Sequence, residues 1–391
     1  MQTERRRALL ERLFELEPEA RDRADEVRIV RAPGRVNLIG EHTDYNLGFV
    51  MPAAISLETW IASVPLARRR VRLTSLENND AAEFDLDEPG PRRGEWIDYV
   101  AGVAWSLTEQ GVPLQAVAGV IDSTIPMGSG LSSSAALELA AAWTLSSELP
   151  PPLERMQLAQ VAQRAENEYV GVRCGLMDQF AATFGEPGKA LLLDCRSLDY
   201  QPVSLPAGHL LVALDTRSPH RIEASEYNAR REQCERAVRA LATVHPGVRS
   251  LRDVSPALLE ELADLVDEET LRRCRHVVHE NQRVLDMLVA LAAGDLDVVG
   301  RLMAESHASL RDLYQVSSVE LDALVEVASA MPGVVGARMT GAGFGGCTVN
   351  LVAHEAVDEL RRAVEAHYPA RSGRSAGFYA LESVAGAGPL E

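Results

Sequence analysis

Apolar positions recur along this chain at two spacings, every three or four residues in long runs and every second residue in short ones, so helices and strands are both expected. Residues 4–16 carry a helical stripe, and VRIV, residues 27–30, opens a strand that Pro33 and Gly34 are expected to stop. VNLI, residues 36–39, reads as a separate short strand. Residues 57–75 and 83–86 alternate as strands do, around Arg68, Arg69 and Arg70, which read as a solvated edge or turn. EWIDYVAGVAWSL predicts a helix, and VAGVID, residues 117–122, a strand leading into a glycine-serine turn and an alanine-rich helix. After prolines at 150–152 a helix is expected over 153–169, then strands at KALLLDC and HLLVALDT. Further on, helices are expected over 225–242, 256–266, 270–292, 295–314, 318–330 and 355–366, with strands at TVNLVA and 377–383. The tail GAGPLE reads as loose.

At 391 residues the chain is longer than one core usually supports. Two α+β domains are expected, 1–205 and 206–391. A formal charge of −18 argues against nucleic acid or an anionic membrane as partner and requires a bound anion to be met by a few concentrated positive groups. The first twenty residues are charged throughout, without the apolar core of a secretion signal, and no later run approaches a membrane span, so a cytoplasmic location is expected. Five scattered cysteines, without CxxC or Cys/His ligand spacing, read as reduced and mostly buried thiols.

Candidate chemistry begins with PMGSGLSSSAALEL, residues 126–139. Gly128 and Gly130 let a backbone approach a ligand, while Ser132, Ser133 and Ser134 supply hydroxyls and N–H groups where the helix dipole favours an anion. A Walker loop would end in Gly-Lys-Ser/Thr, yet the only lysine of the chain is Lys189. A second polar cluster, GEHTDYNLG, crowds Glu41, His42, Asp44, Tyr45 and Asn46 between glycines, acceptors and donors suited to adjacent sugar hydroxyls; a solvated Asx turn is the plainer alternative. Trp96 and Tyr99 stand three residues apart on one helix face, either core or an aromatic wall for adenine. In CGLMDQFAATFG, Asp178 is an acid among apolar residues, to be satisfied locally or held beside a reacting hydroxyl by an arginine. TGAGFGGC, from residue 340, implies close backbone packing against the sheet or a ligand.

Taken together and in this order, GRVNLIGEHTDYNLG, PMGSGLSSSAA, CGLMDQF and TGAGFGGC resemble the galactokinase branch of the GHMP small-molecule kinases, over essentially the whole chain. The resemblance implies a two-domain α+β fold, the first half ribosomal-protein-S5-like and the second ferredoxin-like, with the site between them. It implies transfer of the γ-phosphoryl of ATP, with Mg2+, to the C1 hydroxyl of α-D-galactose. Glu41, His42, Asp44, the Gly175 backbone and Tyr227 would hold the sugar, and Asp178 and Arg35 would face the anomeric oxygen. Ser133 and Glu166 match the family's magnesium ligands. Gly128, Ser129, Gly130, Leu131, Ser132, Ser133 and Ser134 would hold the ATP phosphates, and Trp96 with Tyr99 would flank the base. Galactose and ATP are the expected partners, and a monomer the expected state, with a weak dimer as alternative. An N-acetylgalactosamine or other sugar-1-kinase and a non-catalytic sugar sensor are the competing readings; the intact serine-alanine run, residues 132–136, favours an enzyme. One departure stands out: Pro219 occupies a position where relatives often carry a basic residue, leaving Arg217 or Arg221 to supply that charge.

Overall fold

The computed structural model describes residues 2–218 and 224–390. Strands assemble into three sheets. The largest runs, in spatial order, Gly388–Pro389, Arg28–Asn37, Pro52–Pro65, Val117–Ser123, Arg70–Ser75 and Asp80–Asp85. Neighbours pair antiparallel except Arg70–Ser75, which lies parallel to Val117–Ser123. A four-stranded sheet, Val334–Met339, Cys347–Ala353, His209–Asp215 and Gly377–Leu381, takes all its strands from beyond residue 205. A small third sheet joins Phe49–Val50, Lys189–Asp194 and Tyr200–Ser204.

The central strand Pro52–Pro65 is apolar almost throughout because both its faces are covered. Trp60, Ala62 and Val64 meet Leu9 and Leu13 of the helix Gln2–Leu16, while Ile61 turns to the opposite side, where the main core lies. That core takes in the helices Ile97–Glu109 and Ser133–Leu145 and continues to Leu211, Met303 and Leu351. A second cluster fills the space among the helices Ala224–Ala242, Pro256–Leu262 and Glu268–Ala293, and a third packs Val319–Ser329 and Val357–Ser372 against the four-stranded sheet.

Two expectations are corrected. Pro33 and Gly34 do not stop a strand: Arg28–Asn37 runs through them, with a register shift between Pro33 and Arg35 against Pro52–Pro65. The missing Pro33 N–H is absorbed at this irregularity, and VNLI is the end of the same strand. Nor is the tail loose, since Val30 pairs with Pro389 and Arg31 with Gly388. A proline is tolerated there because the strand is an edge. The strands Tyr200–Ser204 and Val334–Met339 lacked an evident alternating signal and emerge only in the fold. The five cysteines are free thiols, four of them buried. No helix among the described residues is long and apolar enough to cross a membrane. Pro219 and Arg221 lie outside the described residues. Arg217 lines a separate hollow with Arg361 and Tyr379.

Candidate active site

Gly34 lets the first strand lie against the glycine-serine turn: a Cβ there would stand 2.5 Å from the Leu131 carbonyl oxygen. The next residue, Arg35, donates its backbone N–H to that same carbonyl at 3.1 Å. The register shift re-aims the Arg35 side chain inward. Its Nε reaches Asp178 Oδ1 at 2.7 Å and its Nη2 reaches Oδ2 at 2.6 Å, a bidentate pair, while Nη1 donates to the Gly130 carbonyl at 2.7 Å. Burial works against the Arg35 charge, but Asp178 and Glu41 outweigh it and raise its pKa. The pairing orients both carboxylate oxygens of Asp178, which stands on the first turn of the helix Met177–Phe184.

The three serines at the helix start divide their work. Ser132 occupies the N-cap position in a left-handed conformation, φ 65°, and its hydroxyl does not cap the helix but donates to Asp178 Oδ2. The Ser134 hydroxyl lies near Glu166 and works against the burial that raises its pKa, and Ser133 faces the open cavity. Ser133 and Glu166, expected as magnesium ligands, both line this cavity. With no side chain capping Ser133–Leu145, its first N–H groups are left for an anion.

The sugar-type loop sits opposite. Glu41 is fully buried; its Oε1 accepts the Gly341 N–H at 2.8 Å and its Oε2 accepts the Asn37 side-chain amide at 2.9 Å, with Arg338 Nη2 3.5 Å away. Burial raises its pKa, opposed by the Arg338 and Arg35 charges. His42, at φ 62°, lies with Nε2 3.2 Å from the Ala342 carbonyl, so that nitrogen carries the proton, and Nδ1 accepts from the Tyr45 hydroxyl at 2.8 Å. Burial, reinforced by His276, pushes its pKa down to about 3 and keeps the ring neutral. Burial and the Asp178 charge push Asp44 up to about 6. The Asp44 carboxylate lies directly over residue 175, where a Cβ would stand 1.9 Å from its Oδ2, so only glycine fits. Tyr227 closes this side, its ring 5.7 Å from that of His42.

The TGAGFGG segment packs on backbone: a Cβ on Gly341 would meet the Gly130 carbonyl at 2.8 Å, and one on Gly346 the Ser129 carbonyl at 2.8 Å. It therefore braces the glycine-serine turn from behind while Gly341 and Ala342 complete the wall.

These pieces enclose one cavity of about 370 Å3. Arg35, Glu41, His42, Asp44, Tyr99, Gly128, Gly130, the three serines, Glu166, Gly175, Asp178 and Tyr227 all line it. Trp96, Ser129 and Leu131 do not. Trp96 turns its Nε1 to Asp80 at 2.8 Å, so it and Tyr99 do not form one wall here, whereas Ser129 folds its hydroxyl onto Pro126 and Leu131 is core. Arg35 is the only arginine or lysine lining the cavity among the described residues, and Asp178 and Gly130 already occupy it.

Glu166, pushed up to about 7 by burial and by the Asp178 charge, faces the same space. Among the described residues no three His, Cys, Asp or Glu side chains gather into a metal cage. Behind Glu166, the Gln179 amide nitrogen bridges its carboxylate at 2.7 Å and that of the fully buried Glu138 at 2.9 Å. Sequence reasoning missed Arg338 and Glu138, each an isolated polar residue in an apolar run with a partner distant in the chain, and Gln179, which directly follows Asp178 but whose partners Glu138 and Glu166 come together with it only in the fold.

The chain matches three family signatures: a galactokinase galactose-binding signature over residues 19–65, the GHMP kinases N-terminal domain over 98–186 and the GHMP kinases C-terminal domain over 287–370. A galactokinase of Chloroflexus aggregans is 49% identical over 362 residues, 92% of each chain, and one of Roseiflexus is 46% identical over 360 residues, again 92% of each. The crystal structure of Lactococcus lactis galactokinase complexed with galactose superposes with a TM-score of 0.89 at 39% identity, covering 93% of this chain and 95% of that one. A Methanococcus jannaschii mevalonate kinase, at 16% identity and TM-score 0.65, covering 91% of this chain and 98% of its own, shares the fold.

Proposed function

The chain belongs to the galactokinase family and is an ATP-dependent sugar kinase of the two-domain GHMP fold, and from that premise we propose how its own residues phosphorylate the C1 hydroxyl of α-D-galactose. Asp44, with Tyr227, holds the sugar hydroxyls, and His42, its ring nitrogens taken by Ala342 and Tyr45, packs its ring against them. Glu41, whose oxygens are engaged by Gly341 and Asn37, fixes the loop that presents them and turns its remaining acceptor capacity to the cavity. Asp178 stands at the junction of the two ends, and the observation that carries the reading is its bidentate pairing with Arg35 together with the Ser132 hydroxyl. Both carboxylate oxygens are oriented by these contacts, and the carboxylate accepts the C1 hydroxyl proton.

Phosphoryl transfer requires mainly alignment and neutralisation of charge. The glycine-serine turn supplies N–H donors for the ATP phosphates, and Tyr99 offers an aromatic face toward the base. Ser133 and Glu166 would hold Mg2+, which when bound supplies the positive charge on the phosphates that this cavity lacks. Use of ATP is consistent with a cytoplasmic enzyme, and one chain supplies every residue named, so a monomer suffices. The test is galactose-dependent ADP formation with and without Mg2+. Turnover is expected only with both; turnover that persists in excess chelator would remove the metal from the reading, and binding of galactose and ATP without turnover would remove the enzyme.

A further inference from the structure

The helix Glu268–Ala293 lines no part of the cavity, yet three of its side chains grip the backbone of the sugar-type loop. Glu280, completely buried, accepts the Gly40 N–H on Oε1 at 3.0 Å and the Ser306 hydroxyl on the same oxygen at 2.6 Å, while Arg283 Nε donates to Oε2 at 2.7 Å. His276 donates from Nε2 to the Glu41 carbonyl at 3.1 Å, with Nδ1 held by the Ser309 hydroxyl at 2.8 Å. At the far end of the loop, Asn281 Oδ1 accepts the Phe49 N–H at 2.9 Å. A Cβ on Gly48 would stand 2.2 Å from that same oxygen, so the loop is drawn down onto the helix. Residues 276 and 280 lie one turn apart on one helix face, and Asn281 reaches the other end of the loop from about 100° farther round the helix.

Both ends of the loop are thus tied to one rigid element, and the residues between them inherit its position. His42 sits in the left-handed region, a conformation that persists only where its surroundings impose it. A loop anchored at each end presents its side chains already arranged, so sugar binding does not have to order them. His42 and Asp44 line the cavity, whereas none of the three anchors does.

We propose that Glu280, His276 and Asn281 are positioning residues for the sugar: by fixing the backbone at Gly40, Glu41 and Phe49 they set where His42 and Asp44 meet galactose. The inference rests on the reading of this loop as the galactose site. Loss of one buried acceptor costs on the order of a tenfold change in an equilibrium.

Glu280→Met is therefore expected to raise KM for galactose about tenfold while KM for ATP and kcat stay within about twofold, the pattern of lost substrate binding. Glu280→Gln keeps an acceptor for the Gly40 N–H and is expected to restore most of the loss. Asn281→Leu and Asn281→Asp form the same pair at the other end of the loop and carry the test where Glu280→Met does not fold. Asp44→Ala runs beside them. If it leaves KM for galactose unchanged, the loop is not the sugar site and the inference falls with that reading. If Asp44→Ala raises KM while the Met and Leu variants change nothing, move both KM values together, lower kcat alone or both fail to fold, the anchors are merely structural and the inference alone is overturned.

Discussion

Gly175→Ala isolates the geometry of the sugar side from its chemistry. Residue 175 is outside the left-handed region, so its backbone accepts alanine and only the added methyl group acts. That carbon would stand 1.9 Å from Asp44 Oδ2 and 2.1 Å from Asp44 Cγ. Restoring an ordinary contact requires the carboxylate to withdraw by about 1.5 Å. Asp44 then loses its hydrogen bond from the Tyr45 N–H, 2.9 Å in the parent, and its alignment toward the substrate. A misplaced hydrogen bond to a charged group is worth about 1.5–3 kcal/mol, or roughly ten- to a hundredfold in galactose affinity. The assay is KM for galactose at saturating MgATP by coupled ADP release, with Gly247→Ala as control, since a Cβ there meets no atom within 4 Å. A folded Gly175→Ala enzyme with KM for galactose within twofold of the parent refutes the argument. A loss confined to kcat would mean instead that residues 172–175 moved and carried Asp178 with them.

Asp178→Asn keeps the shape of the side chain but not its proton affinity, so kcat is expected to fall by about 10²–10⁴ while galactose binding, measured calorimetrically, persists; near-normal turnover rejects the proton-accepting role. Arg338→Met leaves the buried Glu41 without the guanidinium 3.5 Å away and removes the bond from Nη1 to the Asn37 carbonyl at 3.0 Å. A loss of about 3–5 kcal/mol in chemical denaturation is expected, and one under about 1 kcal/mol would count against a structural charge there. Burial lowers the His276 pKa from 6.5 to about 4, so the folded state favours the neutral ring. Its contribution to stability is complete above pH 6.5 and is lost as pH falls toward 4, at about 1.4 kcal/mol per unit between those values. His276→Asn should therefore flatten the acid limb relative to the parent, and parallel stability curves over that window would reject the assignment.

Much of the site was legible because its motifs announce local physics. Gly128 and Gly130 ahead of three serines let a backbone approach an anion at a helix start, and Glu41, His42 and Asp44 packed into one turn offer acceptors and donors to polar groups. Asp178 among apolar residues demanded a cationic partner, and Arg35 is that partner. What stayed hidden was pairing and direction. A proline-glycine pair reads as a stop, yet as a bulge against Pro52–Pro65 it aims Arg35 into the cavity. Trp96 and Tyr99 share a helix face, yet Asp80 on a neighbouring strand draws the indole nitrogen away.

The chain by itself determined which groups are available, a glycine-serine turn without lysine, a crowded polar loop and a lone acid, because each is encoded in neighbouring residues through backbone freedom and hydrogen-bonding capacity. Only the tertiary structure decided which of them meet. Asp178 finds Arg35 across 143 positions, Glu41 finds Gly341 across 300, and Glu280 finds Gly40 across 240. Such pairings depend on how sheets and helices stack to bury apolar surface, a global balance that no short stretch of sequence contains.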